Sequence, residues 1–183
     1  MLKQGFAFFF DILQTIVLAA AIFVVIYLFA AQPHMVRGAS MESSFHSGDY
    51  ILTEKVSYRF RLPQRGEVIV FKAPNRPKDD YIKRVIGLPG ETVRISGGVV
   101  FINDKVLTET YEPESNRTSG GRFLPEDQIF TVPDNSYFVL GDNRSHSSDS
   151  REFGPIEKDS IIGQAVFRYW PLQKFGLIPL PSY

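Results

Sequence analysis

The chain has 183 residues, with 20 Lys and Arg against 20 Asp and Glu, so its formal net charge is zero. This length fits one domain with additions and is long enough to bury a hydrophobic core. The balanced charge lacks the clustered basic excess of nucleic-acid-binding proteins, so we expect no nucleic-acid partner. The chain has no cysteine and no HExxH motif, which excludes disulfides, cysteine nucleophiles and thiolate metal sites. We therefore expect no metal and no cofactor.

The first predicted element is a long apolar segment from Phe6 to Ala31. Its residues 12–31 carry no charge, and a helix of about 20 residues spans the roughly 30 Å hydrocarbon core of a bilayer. A cleavable signal peptide, with an apolar region of about 7–15 residues, is one alternative. A buried core helix is another, although the segment lacks a polar stripe. We predict a transmembrane anchor over residues 6–31, whose flanking charges do not fix its orientation.

The remaining residues, 32–183, show the pattern of short strands. Runs rich in β-branched and aromatic residues alternate with Gly and Pro, and Gly97-Gly98 indicates a hairpin. We find no helical period longer than two turns. The sequence therefore predicts a mainly β, antiparallel sheet or barrel-like domain behind one N-terminal transmembrane helix. Within it, the polar stretch 108–127 is expected to form a surface loop or an insertion.

Candidate chemistry starts from the three serines within residues 40–44, just beyond the apolar segment. A hydroxyl nucleophile needs a base. A histidine base is disfavoured because there is no GxSxG elbow, and the acidic pair Asp79-Asp80 is more typical of a solvated turn. A lysine base must be desolvated to be neutral near pH 7. Lys83, flanked by apolar residues in YIKRVIGL, is the best candidate, and an edge-strand lysine facing water is the alternative.

A second polar stretch, LGDNRSHSSDSREFGPI at residues 140–156, follows an apolar run. Side chains of this kind hydrogen-bond to the backbone and to each other, and they stabilise tight loops. The stretch fails as a calcium loop because Arg144 stands where a ligand should be. It predicts a structured loop that contains an ion pair between Asp149 and Arg151.

Taken in order, these stretches resemble the bacterial type I signal peptidases, the membrane-bound serine proteases that remove signal peptides. The resemblance covers nearly the whole chain: the apolar span is followed by GASM, GDYILTEKVSY, RGEVIVFKAP, YIKRVIGLPGE, GDNRSHSSDSREFGPI and GQAVFRYWP. The lysine box YIKRVIGLPG and the box GDNR…S.DSR are the most specific of these motifs.

The resemblance implies a role for each matching residue. Ser40 would be the nucleophile and Lys83 the general base of a Ser/Lys dyad, and the backbone N–H of Ser40 would bind the oxyanion. Ser147 falls on the serine that orients the lysine amine, and Asp149 and Arg151 fall on supporting positions. The side chains expected to bind substrate are Met41, Tyr81 and Ile82. For Met41, lipid contact and core packing are alternatives.

The implied activity is endoproteolysis of exported preproteins after a small residue, through an acyl-enzyme. The substrate would dock as an extended strand along a sheet edge. Expected partners are the signal peptides of secretory preproteins and the lipid bilayer, with the protein translocation machinery as a further candidate. The expected location is the cell membrane, with a single pass and the catalytic domain on the extracytoplasmic side.

Two positions depart from the family pattern. Some members carry a serine oxyanion donor two residues before the nucleophile, where this chain has Gly38. The usual S-M-x-P-T reads SMESS, so Ser43 replaces a proline that would stiffen the turn, and Ser44 replaces a threonine. Two alternatives follow: a catalytically weak or inactive signal-peptidase-like binding domain tethered to the membrane, and a Ser/Lys protease with a narrow substrate range.

Overall fold

The structure is a computed structural model that describes residues 2–109, 111 and 117–181. The helices within these residues are α1 (Leu2–Phe29) and the short α2 (Ser150–Phe153). The strands within them are β1 (Ala31–Met35), β2 (Tyr50–Glu54), β3 (Val68–Ala73), β4 (Arg76–Gly87), β5 (Thr92–Ser96), β6 (Val99–Ile102), β7 (Lys105–Val106), β8 (Ile129–Thr131), β9 (Ser136–Leu140), β10 (Ile156–Glu157), β11 (Ile161–Trp170) and β12 (Gly176–Leu177).

Helix α1 contains the apolar segment. The stretch Phe8–Tyr27 is mostly apolar, with Asp11 as its single charged residue, and it is long enough to cross a membrane. None of this stretch is buried against the rest of the described chain. A helix satisfies its backbone hydrogen bonds internally, which is the requirement that the interior of a bilayer imposes. The helix ends at Phe29, two residues before the predicted anchor does.

The strands form two sheets among the described residues. The larger has eight strands in the order β1-β2-β11-β3-β4-β9-β10, with β12 paired to β11, and the smaller has the order β7-β6-β5-β8. Every described pairing is antiparallel. The prediction of a mainly β, antiparallel domain behind one N-terminal helix is therefore confirmed.

The segment after helix α1 is itself part of the larger sheet. Residues Ala31–Met35 form β1, which pairs with β2 at the edge of the larger sheet. Pro33 is compatible with this position because an edge strand leaves the N–H groups of one side unpaired. The sheet thus begins almost directly at the end of helix α1, and Ser40 lies five residues beyond the end of this strand.

Strand β4 has two differently paired halves. Its second half pairs with β9 from Arg84 to Gly87, whereas residues 76–83 have no register with that strand. Burial follows the same division, with residues 76–80 exposed and residues 83–87 buried. Asp79 and Asp80 therefore lie in a strand with one free edge, and their interpretation as a solvated turn is wrong.

The predicted polar loop, residues 108–127, lies partly outside the described residues, which omit 110 and 112–116. In its described part, residues 117–127 contain no helix or strand. The backbone N–H of Asp127 donates to the carbonyl oxygen of Ile95 in the smaller sheet at 2.8 Å, which holds one end of this stretch. The last two residues of the predicted peptidase domain, 182 and 183, also lie outside the described part.

Candidate active site

Ser40 lies in the loop between β1 and β2. The N–H of Val36 donates to the carbonyl of Asp49 at 2.8 Å and closes the base of this loop. Met41 and Phe45 are each 1% exposed and pack into one hydrophobic cluster with strands of the larger sheet. The predicted substrate contact of Met41 is thus corrected, because its side chain lies in the core and not among the residues that line the groove beside Ser40.

Lys83 reaches Ser40 from strand β4. Its Nζ donates to Ser40 Oγ at 2.7 Å and to the carbonyl of Ile82 at 3.0 Å, and it lies 5.4 Å from the centroid of the Tyr81 ring. Lys83 is only 4% exposed, so it is not the solvent-facing lysine that its sequence also allowed. Strand pairing with β3 places the Cα of Lys83 opposite that of Ile69, a fully buried residue, which explains the burial.

Burial lowers the pKa of Lys83 from 10.5 to about 8. Apolar surroundings disfavour the ammonium form because it loses hydration. The carboxylates of Asp149 and Asp142 oppose this effect and raise the pKa, while the Arg151 guanidinium lowers it. The balance leaves an amine that can lose its proton near neutral pH.

The loop after β9 holds the predicted ion pair. Arg151 donates from Nε and Nη2 to Asp149, each at 2.8 Å, and both side chains are buried. Asp149 also accepts from the backbone N–H of Gly141 at 3.1 Å and caps helix α2 through the N–H of Arg151. These contacts fix the loop beside Ser40, whose carbonyl accepts from the N–H of Asn143 at 3.1 Å.

A second buried ion pair was not predicted from the sequence. Arg84 Nε donates to Asp142 Oδ1 at 2.8 Å, and Nη2 donates to Oδ2 at 2.5 Å. Both residues are almost fully buried, and bidentate pairs of this kind fix orientation as well as charge. The pair connects β4, beside Lys83, to the loop that carries Asp149. Both residues lie within the motifs quoted from the sequence, but they are 58 positions apart, so no local pattern indicates that they pair.

Ser147 lies close to the dyad without contacting the lysine. Its Oγ is buried and has no hydrogen-bond partner among the described residues, so the predicted bond to the amine is not formed here. A Cβ added at Gly141 would lie 2.2 Å from Ser147 Oγ and 2.4 Å from the Ser40 carbonyl oxygen. The packing therefore requires glycine at position 141. This residue opens the motif GDNR, but the sequence alone contains no sign of the constraint.

The unusual serines after Ser40 hold the loop by hydrogen bonds. Ser43 has φ +76°, a left-handed conformation that proline, with φ near −65°, cannot adopt. Its Oγ donates to the carbonyl of Tyr111 at 3.0 Å, while Ser44 Oγ accepts from Arg84 at 3.3 Å and its carbonyl accepts from Arg168 at 2.6 Å. The loop therefore lacks the stiffening that the usual proline would provide, but hydrogen bonds from Ser43 and Ser44 hold it in place.

A groove of about 730 Å³ runs from Ser40 and Lys83 between β1 and the free edge of β4. Tyr81 and Ile82, both predicted to bind substrate, line it. The other lining residues are Pro33, His34, Met35, Val36, Arg37, Ile51, Val70, Lys78, Asp79, Asp80 and Ser148. Although three strands separate β1 from β4 in the sheet order, His34 Nε2 lies 3.6 Å from Asp80 Oδ2. The sheet therefore curls, which brings both strands to the sides of one groove.

Comparison with known proteins agrees with these motifs. The family model described as signal peptidase, peptidase S26, matches residues 9–170. Signal peptidase I of Leptolyngbya laminosa is 40% identical over 93% of this chain and 85% of its own, and the probable signal peptidase I-2 of a Synechocystis strain is 38% identical over 90% and 75%. A crystal structure of a signal peptidase I from Enterococcus faecalis aligns with 57% of this chain and 97% of its own, at 34% identity and a TM-score of 0.46.

The family model matches most of the chain, and the relatives are aligned over 75–85% of their own length, so these two findings show to which family the chain belongs. The chain belongs to the signal peptidase family, peptidase S26, and within it to the bacterial type I signal peptidases. This confirms the resemblance in the sequence and the prediction that the chain is an enzyme, a peptidase.

Proposed function

We propose that the chain is a membrane-anchored serine endopeptidase that removes signal peptides from exported preproteins, with Ser40 as nucleophile and Lys83 as general base. The observation that carries this proposal is the 2.7 Å contact between Lys83 Nζ and Ser40 Oγ, made by a lysine that is 4% exposed. Burying an amine is costly unless the neutral form is used. A tethered binding domain without catalysis would have no use for that arrangement.

The chemistry follows from the two atoms. Neutral Lys83 accepts the proton of Ser40 as Oγ attacks the carbonyl carbon of the scissile bond, which forms a tetrahedral oxyanion. The oxyanion collapses to an ester on Ser40, and the departing amine, the new N-terminus, takes a proton from the Lys83 ammonium. Lys83 then removes a proton from water, which hydrolyses the ester and regenerates both side chains.

The oxyanion would be bound by the backbone N–H of Ser40. Among the described residues, this N–H donates to no other group, so it is available to a substrate oxygen. Gly38 offers no side-chain donor, and losing one such donor has cost about 10²–10³ in rate in another serine protease. We therefore assign the main stabilisation of the oxyanion to the backbone in this chain.

Ser147, Asp149 and Arg151 are proposed to support the amine. The Asp149–Arg151 pair holds the loop against Gly141 and contributes opposing charges near Lys83. The buried hydroxyl of Ser147, which has no partner among the described residues, is available to the amine once Ser40 is acylated. This change of partner would keep Lys83 in place for the second half of the reaction.

The substrate is proposed to bind as an extended strand in the groove. Within the part of the chain that the structure describes, residues 76–83 of β4 pair with β3 on one side and with no strand on the other. An extended peptide can complete such an edge with backbone hydrogen bonds. Ile82 and Val70 line the groove together with Lys83, and we assign them to the pocket for the small side chain before the cut. The aromatic ring of Tyr81, whose centroid lies 5.4 Å from Lys83 Nζ, also lines the groove and limits the space beside the amine.

Helix α1 is proposed to anchor the enzyme, with the β domain on the extracytoplasmic side and signal peptides delivered within the bilayer by the translocation machinery. Ser40 lies eleven residues beyond the end of this helix, and β1 occupies five of the ten residues between them. The groove is thereby held near the membrane surface. Confining enzyme and substrate to one bilayer raises their effective concentration.

Cleavage of a preprotein reporter in detergent tests the proposal. The wild type should release the mature protein, while Ser40→Ala and Lys83→Ala should lose at least about a thousandfold in rate, as expected when a nucleophile or its base is removed. Ser44→Ala is the matched control, because it removes a neighbouring hydroxyl that takes no part in the proposed reaction. If the wild type cleaves no faster than Ser40→Ala, the proposed function is wrong.

A further inference from the structure

Tyr111 belongs to the polar stretch 108–127, to which the proposed reaction assigns no role. Its side chain is partly buried beside a cavity of about 390 Å³. The other residues that line this cavity are Ser44, Phe45, Arg84, Arg168, Ile178, Pro179, Leu180 and Pro181. Among the described residues, none lines both this cavity and the substrate groove. Tyr111 therefore contacts the loop that carries Ser40 from outside the groove.

The ring of Tyr111 covers a guanidinium group next to the general base. The Cζ atom of Arg84 lies 4.0 Å from the ring centroid, which is a close cation–π contact. Arg84 follows Lys83 directly on β4 and forms the buried ion pair with Asp142. Opposite charges attract more strongly where water is excluded. The ring thus strengthens the connection between β4 and the loop after β9.

The backbone of Tyr111 holds the nucleophile loop. Its carbonyl oxygen accepts a hydrogen bond from Ser43 Oγ at 3.0 Å. Ser43 lies three residues after Ser40 and has a left-handed φ of +76°, which proline cannot adopt. A hydrogen bond from a distant segment therefore restrains this position, where the family usually has the stiffening ring of proline.

The hydroxyl group of Tyr111 is connected to the loop after β9 through one further side chain. It donates to Glu109 Oε1 at 2.6 Å, and Glu109 accepts two hydrogen bonds from Arg144, at 2.5 and 3.0 Å. Arg144 is buried, and its Nε donates to the carbonyl oxygen of Gly141 at 2.9 Å. Gly141 packs against the carbonyl oxygen of Ser40, so this series of contacts ends at the nucleophile.

The three segments that Tyr111 connects are those that fix Ser40 against Lys83. The nucleophile loop carries Ser40, β4 carries Lys83, and Asn143 in the loop after β9 donates to the Ser40 carbonyl at 3.1 Å. A displacement of about 1 Å between reacting groups can cost about a hundredfold in rate. A residue that connects all three segments therefore acts on the 2.7 Å contact between Lys83 Nζ and Ser40 Oγ without touching either atom.

We propose that Tyr111 is a positioning residue that holds Ser40 within attacking distance of the substrate and in contact with Lys83. The inference rests on the proposed function and assigns a part in it to a residue of the polar stretch 108–127. Because Tyr111 lies outside the groove, it acts on the rate of acylation and not on the binding of substrate.

The test measures release of the mature protein, which leaves as the acyl-enzyme forms, by the full-length enzyme in detergent. Single-turnover reactions at saturating enzyme give a rate constant that does not depend on the folded fraction of the preparation, and steady-state reactions give KM. Tyr111→Ala should lower the rate constant at least about tenfold. Its KM should stay within about twofold of the wild type, because the groove is unchanged.

Two further variants separate positioning from folding. Tyr111→Phe keeps the ring over Arg84 and the carbonyl for Ser43 and loses only the hydrogen bond to Glu109, so its rate constant should stay within about threefold of the wild type. Phe123→Ala is the matched control. It removes a ring from the same stretch, but this ring packs on Phe130 of the smaller sheet, and its loss should change the rate constant less than about twofold.

A wild-type rate constant in Tyr111→Ala would overturn the inference and leave the proposed function intact. A loss that appears as a raised KM would place Tyr111 in substrate binding and would overturn it as well. An equal loss in Phe123→Ala would show that the stretch acts only through its folding, which also contradicts the inference. If the wild type shows no cleavage that depends on Ser40, the proposed function fails and the inference fails with it.

Discussion

The pH dependence of cleavage is the prediction that follows most closely from the site. Only neutral Lys83 can accept the Ser40 proton, and burial lowers its pKa to about 8. With this pKa, about 1% of the enzyme carries a neutral amine at pH 6, about 10% at pH 7 and about 90% at pH 9. We therefore expect kcat/KM to rise nearly tenfold from pH 6 to pH 7 and to level off above pH 9.

The assay is the initial rate of reporter cleavage at low substrate concentration between pH 6 and pH 9.5, because kcat/KM reports ionisations of the free enzyme. A thermal melt at each pH serves as the control that the domain stays folded. A profile that is flat across this range, or one that rises only above about pH 10 as an exposed lysine would, would refute the argument that a desolvated Lys83 is the base.

Three further predictions concern stability and packing around the same site. Lys83→Met should stabilise the fold at pH 7 by about 3 kcal/mol, because the folded-state pKa of Lys83 lies below the unfolded value. The stability of the wild type should rise with pH between about 8 and 10.5, so the difference between the two proteins should shrink across that window in denaturant titrations. Ser43→Pro should lower kcat/KM at least about tenfold, because proline cannot adopt the φ of +76° found at this position. Ser43→Gly should stay within about threefold of the wild type, since glycine adopts that angle freely. Equal activity of the two variants would contradict this account of the loop. Gly141→Ala should lower kcat/KM at least about a hundredfold, because its Cβ would lie 2.4 Å from the Ser40 carbonyl oxygen. Gly90→Ala is the control: its Cβ would meet no atom within 4 Å, so backbone strain alone should cost less than about twofold in rate and about 1 kcal/mol in stability. An unchanged rate for the Gly141 variant would show that the loop can move aside.

Features that depend on local pattern were predictable from the sequence. The apolar segment predicted a helix, and the alternation of β-branched runs with Gly and Pro predicted an antiparallel β domain. Asp149 and Arg151 are two residues apart, so their pairing could be proposed from the loop alone, and the structure contains it. The contact between Ser40 and Lys83 required a different argument, since only the ordered motifs of the family related two residues 43 positions apart.

Features that depend on distant pairing were not predictable. Residues 31–35 have no strong strand pattern and become a strand because β2 offers them a partner. The sequence around Asp79 and Asp80 predicted a turn, whereas in the structure β3 continues to pair with that part of β4. Met41 is drawn into the core because its loop folds back on the sheet, which no short window of sequence indicates.

The central claim is that Ser40 attacks the substrate and becomes acylated. Acid-quenched reactions with a preprotein substrate, followed by proteolysis and mass spectrometry, test it most directly. The account predicts an ester adduct of the signal-peptide fragment on the peptide that contains Ser40, with fragmentation placing it on that side chain and with none formed by Ser40→Ala. An adduct on Ser43 or Ser44, or cleavage by Ser40→Ala at the wild-type rate, would contradict it.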